Sequence, residues 1–295
     1  MNKDDQEHMT SKTKGPARTP AKCSLQAWFA RSAPVAVLLR RGPSDWVRMI
    51  RWDLRDDSFE PGQWFHGAIA TEQCDLSEDG ELFLYLARRE GRRYWSEDYG
   101  PHWTAVSRPP YFTALALWPH SSVIGGGLFI APRRVRLNIA KPREQLTDAN
   151  LPLQVESSGE FFTGIEAFLR KGWQAPDLHP GMTASYHWHT QTRLTKQQDE
   201  LMLVWQKHQA PRYQWRNHFT LWRNGEPTAL GDADFVDFDS SGRLLMGRKG
   251  QVLVCPRPIE SLEWTQLADF SGEHPEPVQP TEMAMTWPTA TGGSN

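Results

Sequence analysis

The sequence predicts a mainly β fold made of several small antiparallel sheets, and three observations carry that prediction. Aromatic residues make up 11% of the 295 and include 14 tryptophans. These side chains need apolar burial together with an acceptor for one N–H, which layered sheets supply more readily than helical bundles. The strand-like stretches are short and punctuated by Gly, Pro and Asn-Gly turns. One turn-and-strand pattern occurs twice, beginning at Cys74 and again at Val236, an offset of 162 residues.

Residues 1–22 carry Lys, Thr, Pro and Asp with no hydrophobic period, so they read as a flexible polar tail. Residues 23–290 are expected to form a single β domain. Val35 to Leu39 and Val47 to Trp52 flank Gly42-Pro43, a hairpin signal: Gly tolerates φ > 0 and Pro withholds a ladder donor. Gly159 to Arg170 fits helical spacing through Phe161, Phe162, Ile165, Phe168 and Leu169, and equally fits two buried strands. Phe219 to Trp222 runs into Arg223-Asn224-Gly225, the sharpest short-range hairpin cue in the chain. From Gly272 the chain turns polar and proline-rich, with Met283, Met285 and Trp287 expected to tuck back against the body.

Residues 74–84 align without gaps on residues 236–246. The shared pattern is apolar, Asp, apolar, Ser/Asp, two polar residues, Gly, any residue, then an apolar strand. The short polar residue opens a type I turn and Gly80 or Gly242 takes the left-handed position that lets the second strand leave antiparallel. A weaker copy, Leu194 to Leu203, needs a one-residue insertion and lacks the Gly. These hairpins resemble the Asp-x-Ser-x-x-Gly blade hairpins of bacterial β-propeller repeat proteins. The resemblance covers about two blades, and Trp52-Asp53 stands without the preceding Gly-His of the best-known repeat family. It implies a β-propeller-like domain of about five or six small antiparallel blades at ~40–45 residues each.

Lys+Arg 33 against Asp+Glu 35 leaves a net charge of -2, which supplies no global field to attract nucleic acid or an anionic membrane. Cys23, Cys74 and Cys255 are too far apart for a C-x-x-C zinc or redox pair and read as reduced thiols. The N-terminus has no apolar h-region, and the longest apolar runs fall far short of a ~20-residue span. A cytoplasmic, soluble protein is expected.

The leading site candidate is the segment holding Tyr94, Trp95, Glu97, Asp98, Tyr99, His102 and Trp103. Aromatic faces there could stack on a peptide, sugar or base while the acids fix orientation, or the loop could fold its own rings over a sheet edge. Glu97 and Asp98 are adjacent and would point apart on a strand, a poor acid/base pair for glycoside hydrolysis. His187 and His189 share a face if extended and could ligate one metal, with His179 nearby. The alternative is a surface strand pair around Trp188, and it is favoured because no carboxylate motif accompanies the histidines. Arg88, Arg89, Arg92, Arg93 and Arg133, Arg134, Arg136 read as solvated edge guards rather than phosphate contacts. Gly125-Gly126-Gly127 precedes a strand and no Lys-Ser/Thr follows, so it reads as a bulge or a tight approach between strands.

No hydrolase elbow, zincin, dinucleotide or kinase motif occurs. The sequence therefore points to a non-catalytic module binding a protein or peptide partner, with no cofactor expected. A metal-dependent hydrolase using His187 and His189, and a carbohydrate-binding protein using Trp95, Tyr99 and Trp103, are the rivals.

Overall fold

The computed structural model describes residues 23–89, 100–120, 123–139, 151–157, 164–176, 192–210 and 214–289. They form twenty strands in five sheets that succeed one another along the chain. The first sheet runs β1 (Ser24–Phe29), β2 (Val35–Arg41), β3 (Trp46–Asp53) and β4 (Ser58–His66) in sequence order. The second comprises β5 (Ala68–Ile69), β6 (Asp75–Leu76), β7 (Phe83–Arg88), β8 (His102–Ser107) and β9 (Ala114–His120), with β5 and β6 both laid along β7. The third holds β10 (Gly127–Ala131), β11 (Arg134–Leu137) and β12 (Gln154–Ser157), and its β11–β12 pair is parallel. After helix α1 (Gly164–Arg170) come the fourth sheet, β13 (Thr192–Gln198), β14 (Leu201–Ala210), β15 (Gln214–Arg223) and β16 (Glu226–Asp232), and the fifth, β17 (Phe235–Phe238), β18 (Leu244–Arg248), β19 (Gln251–Cys255) and β20 (Thr265–Asp269). The mainly β expectation holds, with small antiparallel sheets predominating. No helix among the described residues is long and apolar enough to cross a membrane.

The inner strands are buried on both faces, so β2 and β7 read as continuous apolar runs rather than alternating ones. Their side chains fill four cores between neighbouring sheets. Val37, Leu39 and Met49 meet Cys74, Phe83 and Tyr85 between the first and second sheets. Leu84, Val106 and Trp118 meet Phe129, Val135 and Leu137 between the second and third. Leu203, Trp205 and Leu221 meet Val236, Phe238 and Leu244 between the fourth and fifth. Finally, Leu245, Val252 and Val254 pack on Ala36, Leu38, Ile50 and Trp52, so the fifth sheet lies against the first. Helix α1 bridges the third and fourth sheets: Arg170 donates to Phe129 O at 3.2 Å and the Phe168 ring lies 4.9 Å from Trp205.

The hairpins expected at Gly42-Pro43 and Asn224-Gly225 are present, the latter with φ of 52° and 80° at its two central residues. The weak third copy forms the β13–β14 hairpin, where Asp199 at φ 51° supplies the left-handed residue that the missing Gly would have taken. The described part of the 159–170 stretch, residues 164–170, is helical.

The two strong copies share their turn, with Gly80 and Gly242 at φ 76° and 83°. Their second strands, however, are not equivalent. Leu76 pairs with Phe83 across residues 77–82, whereas Phe238 pairs with Leu244 across residues 239–243. The Ser77 hydroxyl accepts from Leu82 N at 2.9 Å and widens the first loop, while Asp239 N reaches Arg243 O at 3.1 Å and closes the second one residue earlier. A one-residue difference reverses the faces. Leu84 accordingly packs toward the third sheet and its aligned counterpart Met246 toward the fourth.

At the C-terminal end only Trp287 of the three expected residues packs on the body, against the core between the second and third sheets. Met283 and Met285 stay exposed because their short 3-10 turn, Met283–Met285, turns only Ala284 inward.

Candidate functional site

Residues of the first, second, fourth and fifth sheets and of the turns beside them, with α1, surround a cavity of about 360 Å³. Its walls are aromatic, and the rings are locked by one another and by their indole hydrogen bonds. Trp28 sits edge-on to Phe83 at 5.2 Å and donates to Cys74 O at 3.3 Å. Trp173 and Trp205 lie 6.2 Å apart and donate to Asp237 Oδ2 at 3.4 Å and Asn217 Oδ1 at 3.1 Å. The indole N–H requirement read from the composition is met here by these three pairings.

Charge is matched in the cavity wall and just behind it. Lys171 Nζ lies 3.6 Å from Asp75 Oδ1, and Asp75 Oδ2 accepts Phe129 N at 2.9 Å. Lys196 Nζ lies 2.7 Å from Asp237 Oδ1 and 5.9 Å from the Trp173 ring centroid. Lys207 is hydrogen-bonded to Glu72. Burial pushes the Asp75 carboxyl up and the Lys171 ammonium down, and their mutual attraction opposes both shifts. Burial likewise raises Asp234 to about 6, although its Oδ2 accepts Leu25 N and Lys249 N, each at 3.2 Å. The Cys74 thiol is pushed up to about 12 by burial and is no nucleophile at neutral pH. With each lysine beside a carboxylate, the site offers apolar faces and oriented dipoles rather than an excess of one sign.

Of the sequence-derived candidates only His102 and Trp103 are among the described residues, and neither lines this cavity. Tyr94, Trp95, Glu97, Asp98 and Tyr99 lie outside the described residues, as do His187 and His189. Among the described residues no group of three or more His, Cys, Asp or Glu is placed to hold a metal. His102 and Trp103 are neighbours on β8 and so point to opposite faces. His102 is buried opposite His120, with ring centroids 6.3 Å apart, on the side of the third sheet. Trp103 packs edge-on to Phe65 at 5.9 Å, on the side of the first.

The three glycines at 125–127 behave as a close approach. A Cβ at Gly126 would sit 1.9 Å from Gln73 O, and the Gly125 and Gly126 amides bond Gln73 Oε1 and Thr104 Oγ1 at 3.0 and 2.8 Å. In the later arginine cluster, Arg134 and Arg136 face Glu156.

No protein-family model and no curated protein sequence matches the chain. Among solved structures, the chain is similar to the acylaminoacyl peptidase of Pyrococcus horikoshii at 13% identity and a TM-score of 0.29, over 85% of this chain and 45% of that one. The chain thus spans less than half of that peptidase. A likeness at this level carries no argument about chemistry, and the cavity has to be read from its own residues.

Sequence reasoning missed Lys171, Trp173 and Trp205 as site residues, because the first two follow the end of α1 and the third lies more distantly in the chain, on β14. A signal for part of the site did exist. The repeat places an aspartate at the same position in both copies, Asp75 and Asp237, and both carry the charge pairs of the cavity region.

Proposed function

We propose that the five sheets are the blades of a propeller-like binding module, and that a segment of a protein or peptide partner enters its cavity. The succession of sheets in chain order, with the fifth packed on the first, supports the blade arrangement. The observation that carries the binding reading is the make-up of the cavity wall. Four sheets and α1 contribute, aromatic faces stand beside Lys171, Asp237 and the Lys207–Glu72 pair, and the polar side chains Gln26, Thr71 and Asn217 join them. At about 360 Å³ the space is at the lower end of ligand sites, enough for a few side chains of an extended peptide. Dipolar pairs beside aromatic faces suit peptide groups, which carry dipoles without net charge.

The test is affinity capture from the native host with three versions of the tagged full-length protein: wild type, Thr71→Trp and the surface variant Glu226→Ala. Thr71→Trp fills the cavity from its wall, whereas Glu226 is exposed at the start of β16. A stoichiometric partner held by wild type and by Glu226→Ala but lost with Thr71→Trp is expected. A partner held equally by all three places binding elsewhere.

A further inference from the structure

The C-terminal segment crosses the first sheet past Arg40, Arg48 and Gln63, anchored at both ends. Arg40, 1% exposed, donates to the carbonyl oxygens of Phe270, Ser271 and Glu273 at 3.0, 3.2 and 3.1 Å. Arg48 NH1 adds a 2.8 Å bond to Glu273 Oε1. At the far end Trp287 packs against the core between the second and third sheets and Arg133 donates to Pro288 O at 3.0 Å. Between these anchors, Pro275-Glu276-Pro277-Val278 forms one wall of an open groove of about 600 Å³, and Trp46, Gln63, Trp64 and Phe112 form the facing wall.

The groove is better organised than its occupant requires. Gln63 is held rigid, because its Oε1 accepts Phe112 N, Thr113 N and Thr113 Oγ1 at 2.8, 3.1 and 3.1 Å, which aims its Nε2 outward. That Nε2 donates to Val278 O at 3.2 Å. The Arg40 and Arg48 guanidinium groups lie 5.2 and 5.4 Å from the centroid of the Trp64 ring, giving this facing wall a positive, aromatic character. Yet Trp64 Nε1 is buried and has no hydrogen-bond acceptor among the described residues. An indole donor left so is unusual in a settled interface. Glu276 reaches Arg48 NH2 only at 3.5 Å and is 65% exposed. The resident segment therefore matches the groove in kind, extended, proline-rich and acidic, without satisfying it.

We propose that this groove is a docking site for an acidic, proline-containing extended segment of a partner protein, held in reserve by residues 274–280 of the chain itself. Proline segments present carbonyl acceptors without competing N–H donors and keep an extended form at low entropic cost, which suits a wall of indole, amide and guanidinium donors. A partner placing a carbonyl at Trp64 Nε1 and a carboxylate at Arg48 makes one hydrogen bond more than the resident segment. This site is separate from the cavity and does not depend on it.

The experiment uses a labelled synthetic peptide of residues 271–281 and the full-length chain, read by fluorescence anisotropy. The resident segment is weakened by E276K with P277G, which leave both anchors in place. The peptide should bind this variant at least tenfold more tightly than wild type. Gln63→Ala in the same background should lose tenfold or more, and so should a peptide with Glu276 changed to lysine. Thr71→Trp should leave the affinity unchanged, which separates this site from the cavity. Binding no stronger than that of a scrambled peptide in either protein would overturn the proposal. So would a dimer of the weakened variant that excess peptide does not dissociate, because the groove would then belong to a second copy.

Discussion

Asp75 and Asp237 hold the same place in the two copies of the repeated hairpin, and each reaches a different lysine, Lys171 at 3.6 Å and Lys196 at 2.7 Å. The two copies thus contribute more than a turn. Each sets a carboxylate on the first strand of its hairpin, where a lysine from just past α1 or from β13 comes to meet it. The pairs differ in depth: Asp75 is 3% exposed and Asp237 14%.

Removing one member of the deeper pair should therefore be costly and pH-dependent. Lys171→Met strands a buried carboxylate and is expected to lower stability by ~3 kcal/mol at pH 8 in denaturant titration. The loss should shrink toward pH 5, because burial already raises Asp75 and its protonation relieves the unpaired charge. Adding Asp75→Asn should recover most of the loss. A double variant no more stable than the single one would contradict the pairing.

Asp234 gives a pH signature of its own. Its folded value of about 6 exceeds the ordinary 3.8, so between these values the folded state binds more protons than the unfolded one. Stability from this group is present below pH 4 and falls as pH rises toward 6, by roughly 2 kcal/mol after allowance for its partial exposure. Asp234→Asn keeps an oxygen for Leu25 N and Lys249 N and removes the slope. Its Tm should exceed that of wild type at pH 8 and converge with it near pH 4.

The C-terminal anchor can be read separately. Trp287→Ala should cost about 2 kcal/mol, less than a fully buried tryptophan because Trp287 is only half-buried. Limited proteolysis should then cut within residues 274–286 well before the sheets. Unchanged cleavage would mean that Arg40 and Arg48 alone hold the segment.

The turns were legible because they depend on local chemistry. Asn224-Gly225, Gly80 and Gly242 each need a left-handed backbone that their residue types announce. The sheet order was less so. The widened loop at Ser77 flips the faces of β7 relative to β18, and a gapless alignment cannot register a hydroxyl accepting one amide further on. The cavity was hidden for another reason. Lys171, Trp173 and Trp205 are unremarkable in sequence and become a wall only when α1 is laid against the fourth sheet. His102 and Trp103 looked like one site as neighbours, whereas the period of two in β8 sends them into different cores.

The most direct test of the cavity as the ligand site is photo-cross-linking from within it. A benzophenone amino acid is placed at Asn217, on the cavity wall, and at exposed Glu226 in separate proteins, and adducts formed in native extract are identified by mass spectrometry. The account predicts one dominant partner peptide from position 217 and none of it from position 226. The same adducts from both positions would contradict it.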